Sequence, residues 1–465
     1  MSQVKSKPFP LRRSKTDMTE GSIPRLLLTF AFPIMLGSLF QQFYNMVDTW
    51  VVGNFVSNEA FAAVGTVNPI INLLIGFFTG LATGADVVIS QYFGAHRYDK
   101  VHDAVHTYIT LSLILCAAFT AIGLALTPFL LNMLGTAPEV LPQSTAYLSI
   151  YFKGVSGLLI YNMGAGILRA VGDSRRPFYF LMVSALLNIL LDLLLVLHFN
   201  MGVEGVAYAT IISQGVSALL TLFSLLTNHS AVQFFPSHLM LRREILSKIL
   251  KIGLPAAFQT SISCFSNIFL QSYVYQFGPN YMSGWAAYSK LFQLFLIPMQ
   301  SIGMAASTFV GQNLGNRNPE RAKKGVGIAM RLSFSFMIPL VSFCWLIAPH
   351  IVAFFNSTPE VVQLGTLFIR VQIPMLLLTP IDGTIFPALR GSGNSKVPTI
   401  IVLSTYVLFR QTYLFIMANF ISNTIVPIIL VYPLGWLLSA LAAVVYYKKV
   451  GLSKNRLIEE TPAAR

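Results

Sequence analysis

Four carboxylates interrupt otherwise apolar stretches of this chain: Asp48, Asp86, Asp192 and Asp382. An acid set in a long apolar run is costly to place in hydrocarbon, so it ordinarily faces a cavity or a partner. Asp192 follows Asn188 by four residues, which puts both on one helix face. Thr210 supplies a hydroxyl in the next apolar run. Counted at a rise of ~1.5 Å per residue, Asp48, Asp192 and Thr210 all fall in the outer half of a membrane, so the four side chains could converge. Two carboxylates held together away from water resist joint ionisation. A proton, or a monovalent cation with the Asn188 carbonyl and Thr210 hydroxyl as further ligands, relieves that repulsion. The competing reading is a structural hydrogen-bond network, and Asp48 alone also fits an acid snorkelling towards the outer interface. Asp382 either lines a second cavity or pairs with Lys290, Arg370 or Arg410.

The elements that position these groups are membrane helices. Hydrophobic residues make up 55% of the 465 and charged ones 10%, which excludes an ordinary soluble domain. The stretch from Leu26 to Val52 is charged only at Asp48 and is long enough to cross a hydrocarbon core of about 30 Å. Pro33 removes one backbone hydrogen bond inside it and favours a bend. Eleven similar spans follow, giving twelve: 26–52, 61–92, 104–130, 144–169, 178–199, 203–228, 247–277, 281–313, 325–355, 361–390, 397–420 and 425–447. The fold class is therefore all-α and integral to the membrane. Cys116, Cys264 and Cys344 all lie in apolar runs, an odd set that argues against a disulfide framework.

A formal charge of +14 suggests nucleic acid until the charges are placed. Of 31 Lys and Arg residues, 27 fall in 5–25, 97–100, 169–176, 242–251, 317–331, 390–396 and 448–465. The alternate connections, near Glu59, Glu139, Glu204, Gly278, Glu360 and Asn423, hold none. That is a positive-inside asymmetry. It puts the basic loops and both termini in the cytoplasm and makes the basicity a matter of topology, with no nucleic-acid partner. The first 25 residues form a polar, basic tail without the form of a signal peptide.

The long polar interruption near 229–246 divides the chain into halves of six spans, and the halves repeat. The segment LRAVGDSRRP at 168–177 recurs as LRGSGNSKVP at 389–398, a shift of 221. The same shift takes Thr136–Glu139 to Ser357–Glu360, and Gln91 and Gly94 to Gln312 and Gly315. A shift of 222 takes Pro33 to Pro255. Internal repeats are common in secondary transporters, with substrate bound where the repeats meet. An even number of spans per half makes the lobes parallel, related by a pseudo-twofold along the membrane normal. The expected organisation is a cytoplasmic tail (1–25), a six-helix lobe (26–228), a cytoplasmic linker (229–246), a second six-helix lobe (247–448) and a C-terminal tail (449–465). The acid cluster is not repeated, because Phe409 and Tyr413 stand opposite Asn188 and Asp192. A polar feature confined to one lobe points to function rather than scaffold. Gly172 and Gly393 are expected to form matching tight turns.

Other chemistry finds little support. No GxxxxGK[ST] phosphate loop is present, and no cluster of nucleophile and base suggests an enzyme. His102 and His106 share a helix face beside Asp99 and Asp103, and they read as an interfacial face rather than a metal site.

The two six-span halves, YNMVDT at 44–49, the inner loop at 91–97 and the paired LRxxGxSxxP loops resemble the multidrug and toxic compound extrusion (MATE) family, nearest its bacterial MepA/DinF-like branch. In that branch an N-lobe coupling site uses an Asp of the first span, Asn-xxx-Asp of the fifth, a Thr of the sixth and an Asn of the fourth. The resemblance places these at Asp48, Asn188, Asp192, Thr210 and Asn162. Another branch uses acids of the seventh and tenth spans. Here the seventh has Gln259, Asn267 and Gln271 instead, leaving Asp382 with Gln259 and Lys290 as a candidate C-lobe cavity. The resemblance implies a monomeric antiporter of the bacterial cytoplasmic membrane, driven by H⁺ or Na⁺ and requiring no other cofactor. It would export organic, cationic and amphipathic compounds by alternating access. Abundant Phe, Tyr and Met suit an adaptable apolar pocket. The rival readings are a flippase for a lipid-linked saccharide and a non-transporting receptor or membrane enzyme. Twelve spans and only four intramembrane basic residues (Lys153, Lys290, Arg370 and Arg410) disfavour the flippase, and the repeat disfavours the others.

Overall fold

The computed structural model describes residues 17–227 and 230–452. Most of both expected tails therefore lies outside the described residues, as do residues 228 and 229 at the boundary of lobe and linker. The first lobe comprises α1 (Ile23–Phe55), α2 (Asn58–Gly94), α3 (Tyr98–Met133), α4 (Leu141–Ala170), α5 (Arg175–Leu193) and α6 (Gly202–Thr227). The second holds α7 (Arg243–Tyr275), α8 (Pro279–Gly315), α9 (Pro319–Leu346) and α10 (Ala348–Phe355). It continues through α11 (Pro359–Gln372), α12 (Thr379–Gly391), α13 (Lys396–Val402), α14 (Arg410–Ile416), α15 (Ile425–Ile429) and α16 (Val431–Val450). Joined end to end, α9–α10, α11–α12, α13–α14 and α15–α16 make single rods, so each lobe has six. Among the described residues there is no strand, and ten helical segments are long and apolar enough to cross a membrane. The other two rods, α4 and α7, are of similar length, 30 and 33 residues.

Sequence signals set the helix ends. Ser57 caps α2 by accepting from the Ala60 amide at 3.1 Å, and Asn318 caps α9 by accepting from Arg321 at 3.0 Å. Prolines open α8, α9 and α11, where the missing N–H is no loss. Gly172 and Gly393 have φ of 89° and 98°. At each of them the chain closes the same two hydrogen bonds: the Gly172 and Asp173 amides donate to the Arg169 and Leu168 carbonyls, and the Gly393 and Asn394 amides to those of Arg390 and Leu389, all at 2.8–2.9 Å. This pattern is the Schellman stop. His96 and Arg317, 221 residues apart, are also both left-handed, at φ 55° and 56°. The repeat thus extends to single backbone angles.

The lobes meet at the end that carries the basic loops. Gly80 and Gly84 of α2 press against the backbone of α7 at Ala257 and Gly253, an approach no larger residue permits. Leu27, Phe30 and Ala31 of α1 share a core with Ile302, Ala305 and Phe309 of α8. The linker folds back on α3, where the Arg242 amide donates to Thr107 Oγ1 at 3.2 Å. His106 lies fully buried beneath it, while His102 on the same face is partly exposed.

Candidate ion-coupling site

Ser184, Asn188 and Asp192 form one buried face of α5. Ser184 Oγ donates to the Ser213 carbonyl of α6 at 2.7 Å, and this fixes the antiparallel register of the two helices. Counting back along α6 from Ser213 sets Thr210 beside Asn188. Thr210 donates its proton to Val206 O at 2.9 Å, so the hydroxyl lone pairs remain available. Asp48, on the far half of α1, completes the group.

The Asp48 and Asp192 carboxyl groups face each other within hydrogen-bonding reach, yet two ionised carboxylates offer only acceptors. Accordingly Asp48 Oδ1 and both Asp192 oxygens are buried without a donor, as are both amide atoms of Asn188. Each polar group left unpaired away from water costs about 1–3 kcal/mol. A proton or a small hard cation at this point would remove that cost, and the donor set of carboxylate, amide and hydroxyl oxygens suits such a guest. Asp192 is fully buried while Asp48 is partly exposed, so Asp48 is the accessible side of the pair.

Tyr147 of α4 is buried close to both acids, and Tyr44 lies near Asp48. These phenols were not singled out from sequence. The YNMVDT motif contains Tyr44, but nothing in the spacing links Tyr147 to the cluster. The Asn162 amide donates to Leu158 O, one turn back in α4, at 2.8 Å, and among the described residues no hydrogen bond joins it to either acid.

In the second lobe, Asp382 accepts from Tyr406 Oη and, at 3.0 Å, from Ser439 Oγ. Among the described residues it forms no ion pair with Lys290, Arg370 or Arg410. Arg410 is buried between the rings of Tyr406 and Tyr432, 4.4 Å from each centroid. Arg370 lies over Trp345 at 5.6 Å, and Lys290 is exposed. Gln259 Oε1 accepts from Arg390 at 2.8 Å and from Thr399 at 3.3 Å, tying α7 to α12 and α13. Asp86 is paired with Arg169 at 3.9 Å.

One pair of residues from the repeat closes the molecule. Gln91 Nε2 of α2 donates to Gly391 O of the second lobe at 2.8 Å, and Gln312 Nε2 of α8 donates to Ala170 O of the first at 2.9 Å. Both donors and both acceptors are 221 apart. Gly94 and Gly315 sit against the carbonyls of Gln312 and Gln91 respectively. The result is a reciprocal latch across the pseudo-twofold at the basic end.

Twelve membrane rods in two repeated lobes, with a buried acid cluster in one, define a secondary-transporter architecture. The MatE family profile matches residues 33–194 and 255–416, one copy in each lobe, and the chain belongs to that family of transporters. It is 27% identical over 432 residues to a probable multidrug resistance protein, YpnP, of Bacillus subtilis (strain 168), covering 93% of this chain and 96% of that one. It is 23% identical over 386 residues to the multidrug export protein MepA of Staphylococcus haemolyticus (strain JCSC1435), covering 83% and 85%. Its fold matches an outward-facing conformation of a multidrug resistance MATE family transporter with a TM-score of 0.88 at 24% identity, covering 94% and 98%. The protein is a membrane transporter of the MATE family and not an enzyme.

Proposed function

We propose that the chain is a cation-coupled antiporter that exports organic, cationic amphipathic compounds, using Asp48, Asn188, Asp192 and Thr210 to bind the driving H⁺ or Na⁺. The observation that carries this reading is the set of buried, donorless oxygens shared by Asp48, Asn188 and Asp192. A driving ion must bind one lobe arrangement better than another, since equal affinity shifts nothing. A site joining α1 to α5 meets that need, because α1 also contacts α8 of the other lobe. Filling the site alters how α1 packs on α5 and thereby how the lobes meet. The latch at Gln91 and Gln312 supports alternating access. It holds one end of the cleft shut, and with the basic loops in the cytoplasm the cleft faces outward. The multidrug relatives support the substrate class. Uptake and release of a fluorescent organic cation in proteoliposomes, with Na⁺ and pH gradients imposed separately, tests the proposal. Flux that responds to neither gradient refutes it.

A further inference from the structure

At the basic end of the first lobe, three imidazoles from two distant stretches meet. His102 and His106 occupy successive turns of α3, with ring centroids 4.0 Å apart. His238 comes from the short 3₁₀ turn Pro236–His238 of the linker. Its ring stands 5.6 Å from that of His102 and 6.1 Å from that of His106. One nitrogen from each ring falls within 4.8 Å of the other two. Phe235 closes one wall, stacked on His106 at 6.4 Å and tilted against His102 at 5.9 Å.

The bonding of His106 fixes its tautomer. The Phe235 amide donates to His106 Nε2 at 3.0 Å, so the ring proton sits on Nδ1 and is donated to His102 O at 2.8 Å. A backbone carbonyl accepting from Nδ1–H, which leaves Nε2 as the nitrogen with a lone pair, is the tautomer metal-binding histidines commonly use. Among the described residues, no hydrogen bond engages the rings of His102 or His238.

We propose that His102, His106 and His238 bind one borderline divalent metal ion of the Zn²⁺ type and thereby fasten the linker to α3. With Zn–N bonds of about 2.0–2.1 Å, tetrahedral ligand nitrogens stand about 3.3 Å apart, so no pair of these nitrogens, all within 4.8 Å of one another, need close by more than roughly 1.5 Å. His238 is exposed, on a turn at the protein surface, and is the ligand free to make that move. His106 Nε2 exchanges the Phe235 N–H for the metal. Phe235 leads directly into the exposed Pro236–His238 turn, and moving with that turn would bring its released N–H to water. The fourth position is left to water. Asp103 and Arg242, paired at 3.7 Å, flank the cluster and already tie the linker's exit to α3. Because the linker joins the lobes, a metal that pins it restrains their relative movement.

The test is calorimetric titration of Zn²⁺ into the full-length protein in lipid nanodiscs, for the wild type and for His102→Ala and His238→Ala. The proposal expects one saturable site per chain, weakened about tenfold or more by either substitution. Metal-free thermal stability should be unchanged in His238→Ala, whose side chain packs on the surface. Co²⁺ should give the intense absorption of a four-coordinate site in the wild type, and His238→Ala should lose it. Absence of a saturable site, or equal affinity in the wild type and His238→Ala, overturns the proposal.

Discussion

Asp192 has neither solvent nor a donor, whereas Asp48 opposite it is partly open. At this scale the distinction between ligand and titratable group can be tested. Thr210→Val removes one oxygen and no proton site. If Na⁺ drives transport, the Na⁺ concentration for half-maximal flux should rise roughly tenfold, the value of about 1.4 kcal/mol for one lost ligand. A purely H⁺-driven cycle should change little, and measuring flux against each ion separates the cases. Asp48, Asn188, Asp192 and Thr210 were legible in the sequence because polar residues in apolar runs are few and helical spacing gives their depth. Tyr147 was not, since it belongs to a span rich in ordinary tyrosines and only packing brings it to the acids. His102 and His106 were visible as a pair, but their third partner lies 132 residues away in a linker whose path the sequence does not dictate.

At the scale of elements, the paired turns and the latch carry the argument. Gly172 and Gly393 hold left-handed backbone that costs an L-residue about 1–2 kcal/mol. Valine at both positions should lower folded yield in size-exclusion profiles while leaving the ion preference of the surviving protein intact. The latch can be locked: Ser90 Cβ lies 3.2 Å from where a Cβ on Gly311 would stand, close to disulfide range. With Cys116, Cys264 and Cys344 replaced, Ser90→Cys with Gly311→Cys should lose flux on oxidation and regain it on reduction. Full flux in the oxidised form would show that this end does not need to open. The matching of Gln91 with Gln312 was plain from the repeat, but their hydrogen bonds span 300 and 142 residues, and periodicity carries no such information. Nor did it show the π turns at Leu194–His198, Leu403–Phe409 and Met417–Ile421. These shift a helix by one residue without altering its apolar character. The first begins two residues after Asp192, and π turns of this kind often occur at functional sites.

For the whole molecule, twelve rods and two lobes could be read from hydropathy and a constant offset, and lobe closure could not. Orientation rests on charge alone. Single cysteines near Glu59 and Glu139, in a background lacking the native ones, should label from outside intact cells, and those near Arg97 and Arg175 should not. The reverse pattern would invert the direction of transport. The central claim is that the driving ion binds between Asp48 and Asp192, and the most direct measurement is gradient-driven efflux from proteoliposomes containing the Asp48→Asn, Asp192→Asn double variant. With wild-type protein responding to at least one imposed gradient, the double variant should insert and fold normally and show no gradient-driven flux. Efflux at the wild-type rate would contradict the account and place the coupling ion elsewhere, with Asp382 as the next carboxylate to examine.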